Sequence, residues 1–429
     1  MPEDPADTSA EPPADGSQSP ATVATESVAA TGPAAVRLTV SGRSADRRDA
    51  LVAEGGGGED TEAAVGLALE WLVRNQEKTG LWSLRGPYAD GSRQENRLAA
   101  TAMALLALQG AGHTTDAGSH ADAVRRAWKA LLARQLPDGT FDIGTIPEQH
   151  AMYAHAQVTI ALCEALAMTK DPAFEKPAAK AVSYAVAAQM PDGGWRYHPP
   201  DPAPSSALTN KGDMSVTGWF VMALKSSEMA GLEIPQTVST RLTDFLDASF
   251  VSDAKGYDYQ IQPQQRFFKE RPAMTAEALL ARLYLGWPAD DVRIQAGIDL
   301  LFHVLPFEDC PLDQRIGVER CTGRWGPQGI DAFSADGADK TRLNKHPEVY
   351  AWYYTTQVCR HAQGEPWRRW NQWMRATLPP NQAATGKERG SWSPAWDQWG
   401  QHGGRLFMTC LCTCMLEAYY RHVPLHGQP

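Results

Sequence analysis

The chain has 429 residues, 50 of them acidic and 40 basic, with a net charge of −10. That balance, with no basic run, argues against a nucleic-acid surface. No stretch of about 18 consecutive apolar residues marks a membrane span, and the acidic start MPEDPADTSAEPPADG lacks the basic-then-apolar order of a signal peptide, so a soluble cytoplasmic protein is expected.

Residues 1–58 are rich in Pro, Ala, Ser, Thr, Asp and Gly and poor in aromatics. Such a segment buries too little apolar surface to offset its ordering entropy and reads as a disordered tail. The remainder, residues 59–429, reads as one domain. TEAAVGLALEWLVRNQ (61–76) places Val65, Leu69, Leu72 and Val73 on one stripe of an amphipathic helix. The turn QEKTGLW follows, with Gln76, Gly80 and Trp82, and then RLAATAMALLALQG, apolar nearly all round. The same order returns along the chain. An amphipathic helix (120–135) leads through QLPDGTF to AQVTIALCEALAM, and a second (177–189) leads through QMPDGGW to MSVTGWFVMAL. Amphipathic segments at 235–249, 288–304 and 366–378 alternate with the apolar segments MTAEALLARLYL, VYAWYYTTQVC and RLFMTCLCTCMLEAYY. A helix without a polar face is buried on all sides, so the apolar set must sit inside the amphipathic set.

Each apolar helix carries a Thr near its start: Thr101, Thr159, Thr217, Thr275, Thr355 and Thr409. The first four are spaced 58 residues apart, and a fixed period means stacked supersecondary units sharing one core. Thr275 to Thr355 spans 80 residues. The excess falls in residues 305–345, read as a long loop that is either a lid or rim or plain decoration. Six such hairpins close into a ring, so the expected fold is all-α, an α/α toroid.

The Q-x-x-x-G-x-W turns before apolar helices resemble the QW repeats of squalene-hopene cyclases. The pattern from about residue 60 onward is similar to the prenyltransferase/squalene oxidase repeat. The resemblance implies a toroid whose inner helices ring a central cavity that takes an isoprenoid or another elongated apolar molecule with an anionic head. It speaks to fold more than to activity. Class II terpene cyclases place D-x-D-D at the start of one inner helix. Here only Asp213 matches, at the first position, with Ser215 where the acid would stand. Asp213 is the candidate acid. Protein prenyltransferase β subunits bind zinc through Asp, Cys and a distant His. Asp213-Met-Ser215 lacks that Cys, so neither metal nor cofactor is expected. The C-G-E-Q of thioester toroids is absent.

Arg97, His155, Asp213, Arg271 and Arg405 hold equivalent positions one turn before a Thr. If the repeats superpose, they converge on one mouth and favour an anionic group. Alternatively, Arg97, Arg271 and Arg405 pair with Glu95, Glu270 and Asp397 and only satisfy helix ends. Trp219, Tyr350, Trp352, Tyr353 and Tyr354 wall a pocket or simply pack the core. His150 and His155 are five apart, poor spacing for a metal pair. Cys410, Cys412 and Cys414 read as small buried residues. Cys310 and Cys321 share the long loop and would bridge only in an exported protein.

The expected function is that of a terpenoid cyclase/prenyltransferase-like toroid holding an apolar ligand in a central cavity. The alternative is a non-catalytic module that binds a protein or peptide with the ring's rim and long loop. A carbohydrate-active toroid needs two carboxylates facing across the cavity, and only Asp213 is well placed for that, with Glu95 and Glu148 as poor seconds.

Overall fold

The computed structural model describes residues 39–144, 146–204, 206, 209–252, 254–261, 272–305, 348–395, 397 and 399–425. The 305–345 loop lies outside the described residues apart from Leu305, and so do Cys310, Cys321 and Arg271.

After a short helix α1 (Ala45–Glu54), amphipathic and apolar helices alternate. The outer set is α2 (Glu59–Arg74), α4 (Ala121–Leu132), α6 (Glu175–Ala187), α8 (Gln236–Ser249), α10 (Val292–Val304) and α12 (Gly364–Thr377). The inner set is α3 (Arg97–Gly110), α5 (Ala151–Thr169), α7 (Met214–Met229), α9 (Pro272–Tyr284), α11 (Val349–Ala362) and α13 (Gly400–Leu416). A one-turn helix α14 (Ala418–Arg421) ends the described chain. Each inner helix packs on the next, and α13 packs back on α3. The ring is closed, an α/α toroid. Its logic is visible in α4, where Ala123, Val124, Ala127, Trp128 and Leu131 form one buried stripe. In α3, by contrast, nearly every side chain is buried.

The turns explain the recurring residues. In three units the Trp after the turn donates its indole N–H to the outer helix before it: Trp82 to the Leu72 carbonyl at 2.7 Å, Trp195 to Ala185 at 2.8 Å and Trp392 to Leu378 at 2.8 Å. The backbone N–H of the same Trp donates to the Thr of the inner helix that follows, at 3.0 Å to Thr101, 2.9 Å to Thr217 and 3.2 Å to Thr409. The fourth unit uses a different residue for the same bond. A small hairpin, β1 (Phe250–Val251) with β2 (Gly256–Tyr257), brings Tyr257 N–H to within 3.1 Å of the Thr275 hydroxyl. In four of the turns a Gln bridges to the next unit. Gln76 donates to Ala123, Gln135 to Pro177 and Gln189 to Val238, at 2.9, 2.9 and 3.0 Å. Gln382 donates to Ala64 of α2 at 2.8 Å, so the same bond that links neighbours also seals the ring.

Residues 39–58 depart from the expectation of a single disordered tail. α1 packs on α14, Leu51 and Val52 are buried, and Arg43 is only 4% exposed. Composition misses this because few apolar anchors and one buried ion pair hold the segment (Arg43 to Glu164, 2.8 Å). No helix of the described residues is long and apolar enough to cross a membrane.

Candidate functional site

The inner helices α5, α7, α9 and α11 bring two carboxyl groups together near their N-terminal ends. Asp213 caps α7: its Oδ1 accepts the Val216 N–H at 3.0 Å and the Ser215 hydroxyl at 2.7 Å. Its own N–H donates to the Trp195 carbonyl at 2.8 Å, which ties the cap to the repeat turn. The side chain is fully buried. Burial raises its pKa, and the bonds from Ser215 and Val216 offset that only in part. Among the described residues no donor meets Oδ2 in good geometry, although the Tyr259 hydroxyl approaches the carboxyl.

The second carboxyl is Glu277 on α9, also buried. It fits because α7 carries Gly218 beside it: a Cβ there would stand 2.8 Å from Glu277 Cγ. The Tyr350 hydroxyl donates to Glu277 Oε1 at 2.5 Å and lies 3.2 Å from the Ser215 carbonyl, so α11 bridges α7 and α9. Glu277 Oε2 is buried without a partner among the described residues. Burial pushes this carboxyl well above the ordinary range. Tyr350 counters it, while the negative charges of Asp213 and Glu348 add to it. Such a place favours the neutral, proton-holding form of a carboxyl.

This makes a stability prediction. Glu277 binds its proton more tightly folded than unfolded, so its contribution is fully present below its unfolded pKa. It is lost as pH rises from there through the folded value. Glu277→Gln keeps the shape of the neutral acid and removes the titration. Its urea midpoint should match wild type near pH 4 and exceed it increasingly toward pH 8. A constant offset between the two across that range would mean that Glu277 is ionised in the fold.

Aromatic rings cluster around Tyr350, the partner of Glu277. Trp219 stacks on Tyr353 at 5.9 Å and meets Tyr354 edge-on at 6.1 Å, and Tyr350 meets Tyr354 at 5.3 Å. Trp352 does not join them. It points outward onto Trp373 of α12 at 4.7 Å.

The expected ring of head-group ligands is not assembled by the described residues. Arg97 is half-exposed and pairs with Glu77 at 3.1 Å and Glu95 at 3.2 Å. His155 faces the outer wall, with Nε2 3.0 Å from the Ala181 carbonyl and its ring against Tyr184. Burial lowers its pKa to about 4, so it is neutral. Arg405 pairs with Asp90 at 2.5 Å and reaches the Ser391 hydroxyl at 3.0 Å. Asp397, its partner in the sequence reading, instead accepts the Val349 N–H at 2.7 Å and caps α11. These arginines hold loops to helix ends. Cys410, Cys412 and Cys414 are buried free thiols. No group of three or more His, Cys, Asp or Glu among the described residues is arranged to hold a metal ion.

Glu277 is the residue that sequence reasoning missed. Its one signal is an acid in a largely apolar inner helix, two residues after the repeat Thr.

No protein-family model and no curated protein matches the sequence. Solved structures do match. An α-1,6-mannanase from Salegentibacter superposes with a TM-score of 0.53 at 12% identity, over 84% of this chain and 99% of that one. An α-mannanase of Bacteroides thetaiotaomicron gives 0.51 at 10% identity, over 86% and 97%. The type II terpene cyclase MstE from Scytonema gives 0.47 at 14% identity, over 84% and 98%. At these identities the mannanase matches speak for the fold alone: the chain is a toroid of the kind on which unrelated chemistries are built.

Proposed function

We propose that this toroid binds an elongated, unsaturated apolar ligand of isoprenoid type and that Asp213, supported by Glu277, is its proton donor. The observation that carries this reading is a pair of buried carboxyl groups on neighbouring inner helices, both pushed toward the neutral form by burial, with Tyr350 and its neighbouring rings beside Glu277. In the reaction the Asp213 O–H bond breaks and a C–H bond forms at an alkene carbon. The π faces of Trp219, Tyr350 and Tyr354 then stabilise the cation. Hydrolysis of a glycoside also uses two carboxyls, but one of them must be ionised to act as base or nucleophile. Burial opposes that for both groups here. The rim-binding alternative has no comparable support, because its loop lies outside the described residues.

Asp213→Asn separates the two jobs of this side chain, since Asn caps a helix as well as Asp does. With linear polyprenes of farnesyl and geranylgeranyl length, Asp213→Asn is expected to retain the bound ligand in native mass spectra. It should form product at least about 100-fold more slowly. Failure of wild type to bind any polyprene would sink the ligand class, and undiminished product from Asp213→Asn would sink the acid.

A further inference from the structure

We propose that Ser215, Tyr153, Tyr259 and Tyr197 form a hydroxyl relay that returns a proton to Asp213. The proposal rests on the reading of Asp213 as an acid and adds how that acid is recharged.

A donor sealed from water works once unless its proton is replaced. Asp213 has no exposed surface, and among the described residues neither Arg nor Lys hydrogen-bonds to its carboxyl. Besides the Val216 N–H, what touches it are hydroxyls. Ser215 donates to Oδ1 at 2.7 Å, and the Tyr153 hydroxyl lies 2.6 Å from the Ser215 hydroxyl. Tyr259 reaches both Ser215 and Asp213, and its hydroxyl is hydrogen-bonded to that of Tyr197. Tyr197 and Tyr259 are both partly exposed, so this branch leads from the buried carboxyl toward solvent. The path is held in place by its backbone. The Met214 N–H donates to the Tyr259 carbonyl at 2.8 Å, and the Tyr153 and Tyr197 rings pack at 5.9 Å.

The proton count closes. Asp213 loses the proton on Oδ2 to the ligand, and the Ser215 hydroxyl proton moves to Oδ1. Ser215 takes one from Tyr259, Tyr259 one from Tyr197, and Tyr197 one from a solvent hydronium, which is left as water. The proton now sits on Oδ1 and each hydroxyl points the other way; rotation of the carboxyl group and of the hydroxyls restores the starting arrangement, and one proton enters for each one delivered. Hydroxyls both donate and accept, so the chain re-forms without rebuilding the site.

The relay is testable without knowing the ligand. The carbonyl stretch of a neutral buried carboxyl shifts when its proton is exchanged for a deuteron. Infrared spectra of the full-length protein transferred to heavy water therefore time that exchange. Asp213→Asn and Glu277→Gln assign the two bands. Ser215→Ala is expected to slow exchange at Asp213 by about tenfold or more while leaving Glu277 unchanged. The double variant Tyr153→Phe/Tyr259→Phe should do the same, and stands in if Ser215→Ala folds poorly. Equal Asp213 rates in wild type and variants would overturn the relay while leaving the acid intact, as would equal slowing at both carboxyls. A spectrum in which Asp213→Asn removes no neutral-carboxyl band would overturn the acid reading and the relay together.

Discussion

Glu164→Gln is expected to lower the free energy of unfolding by about 3–5 kcal/mol, because it strips the charge that two buried arginines share. Glu164 lies toward the C-terminal end of α5. Arg43 grips it from the N-terminal segment with bonds of 2.8 and 2.9 Å, and Arg421 from the C-terminal end with bonds of 2.9 and 3.1 Å. All three side chains are at least nine-tenths buried. Burial alone would raise the Glu164 pKa. Arg421 and then Arg43 outweigh it and hold the carboxyl below the ordinary range. The neighbouring Glu417 offers little relief, since burial pushes it up to about 8 and leaves it largely neutral at pH 7. Without Glu164, two guanidinium groups remain inside the fold with no full counter-charge. Arg43→Met in the Glu164→Gln background removes one of them and is expected to restore part of the loss. Urea melts of the two single variants and the double variant would measure this coupling, and simple additivity would show that the arginines do not share Glu164. The sign with pH follows from the depressed pKa. The stabilisation is present above the unfolded glutamate pKa and is lost as pH falls through the folded value, so Glu164→Gln should also flatten the acid limb.

This ion pair marks where sequence reading runs out. Thr101, Thr217 and Thr409 were legible because each makes a bond to a Trp fewer than 25 residues away, and a local bond repeats as a local pattern. Asp213 was legible for the same reason, since its partners Ser215 and Val216 follow directly. Glu164 reads as one acid in an apolar helix, and its partners are 121 and 257 residues away. Glu277 is similar, held by a tyrosine 73 residues on. In the sequence, Arg405 reads as a head-group ligand or, alternatively, as the partner of nearby Asp397. Closure of the ring instead brings it Asp90, 315 residues earlier. Contacts within a unit are written in the period, whereas contacts made by closing six units into a circle appear only once the circle exists.

Gly390→Ala is expected to cost about 3 kcal/mol or more, well beyond the cost of the same change at Gly231. Both glycines have positive φ, 96° and 85°, where an added Cβ costs about 1–2 kcal/mol in backbone strain alone. They differ in what surrounds them. Nothing lies within 4 Å of a Cβ at Gly231, whereas a Cβ at Gly390 would overlap the backbone carbonyl of Leu67 on α2. Backbone cannot swing aside as a side chain can, so the last turn would have to lift off the first outer helix. That lift would strain the Gln382 bonds to Ala64 and to the Gly390 carbonyl, at 2.8 and 3.0 Å, which seal the ring. The excess cost of Gly390→Ala over Gly231→Ala therefore measures how hard the sixth unit presses on the first. Hydrogen exchange should locate it: protection should fall at the Trp392 N–H and along α2, with α5 and α7 unaffected. Equal costs at the two positions would mean that the seam yields freely. The ring would then be held by its inner helices alone, with α13 against α3 carrying the closure.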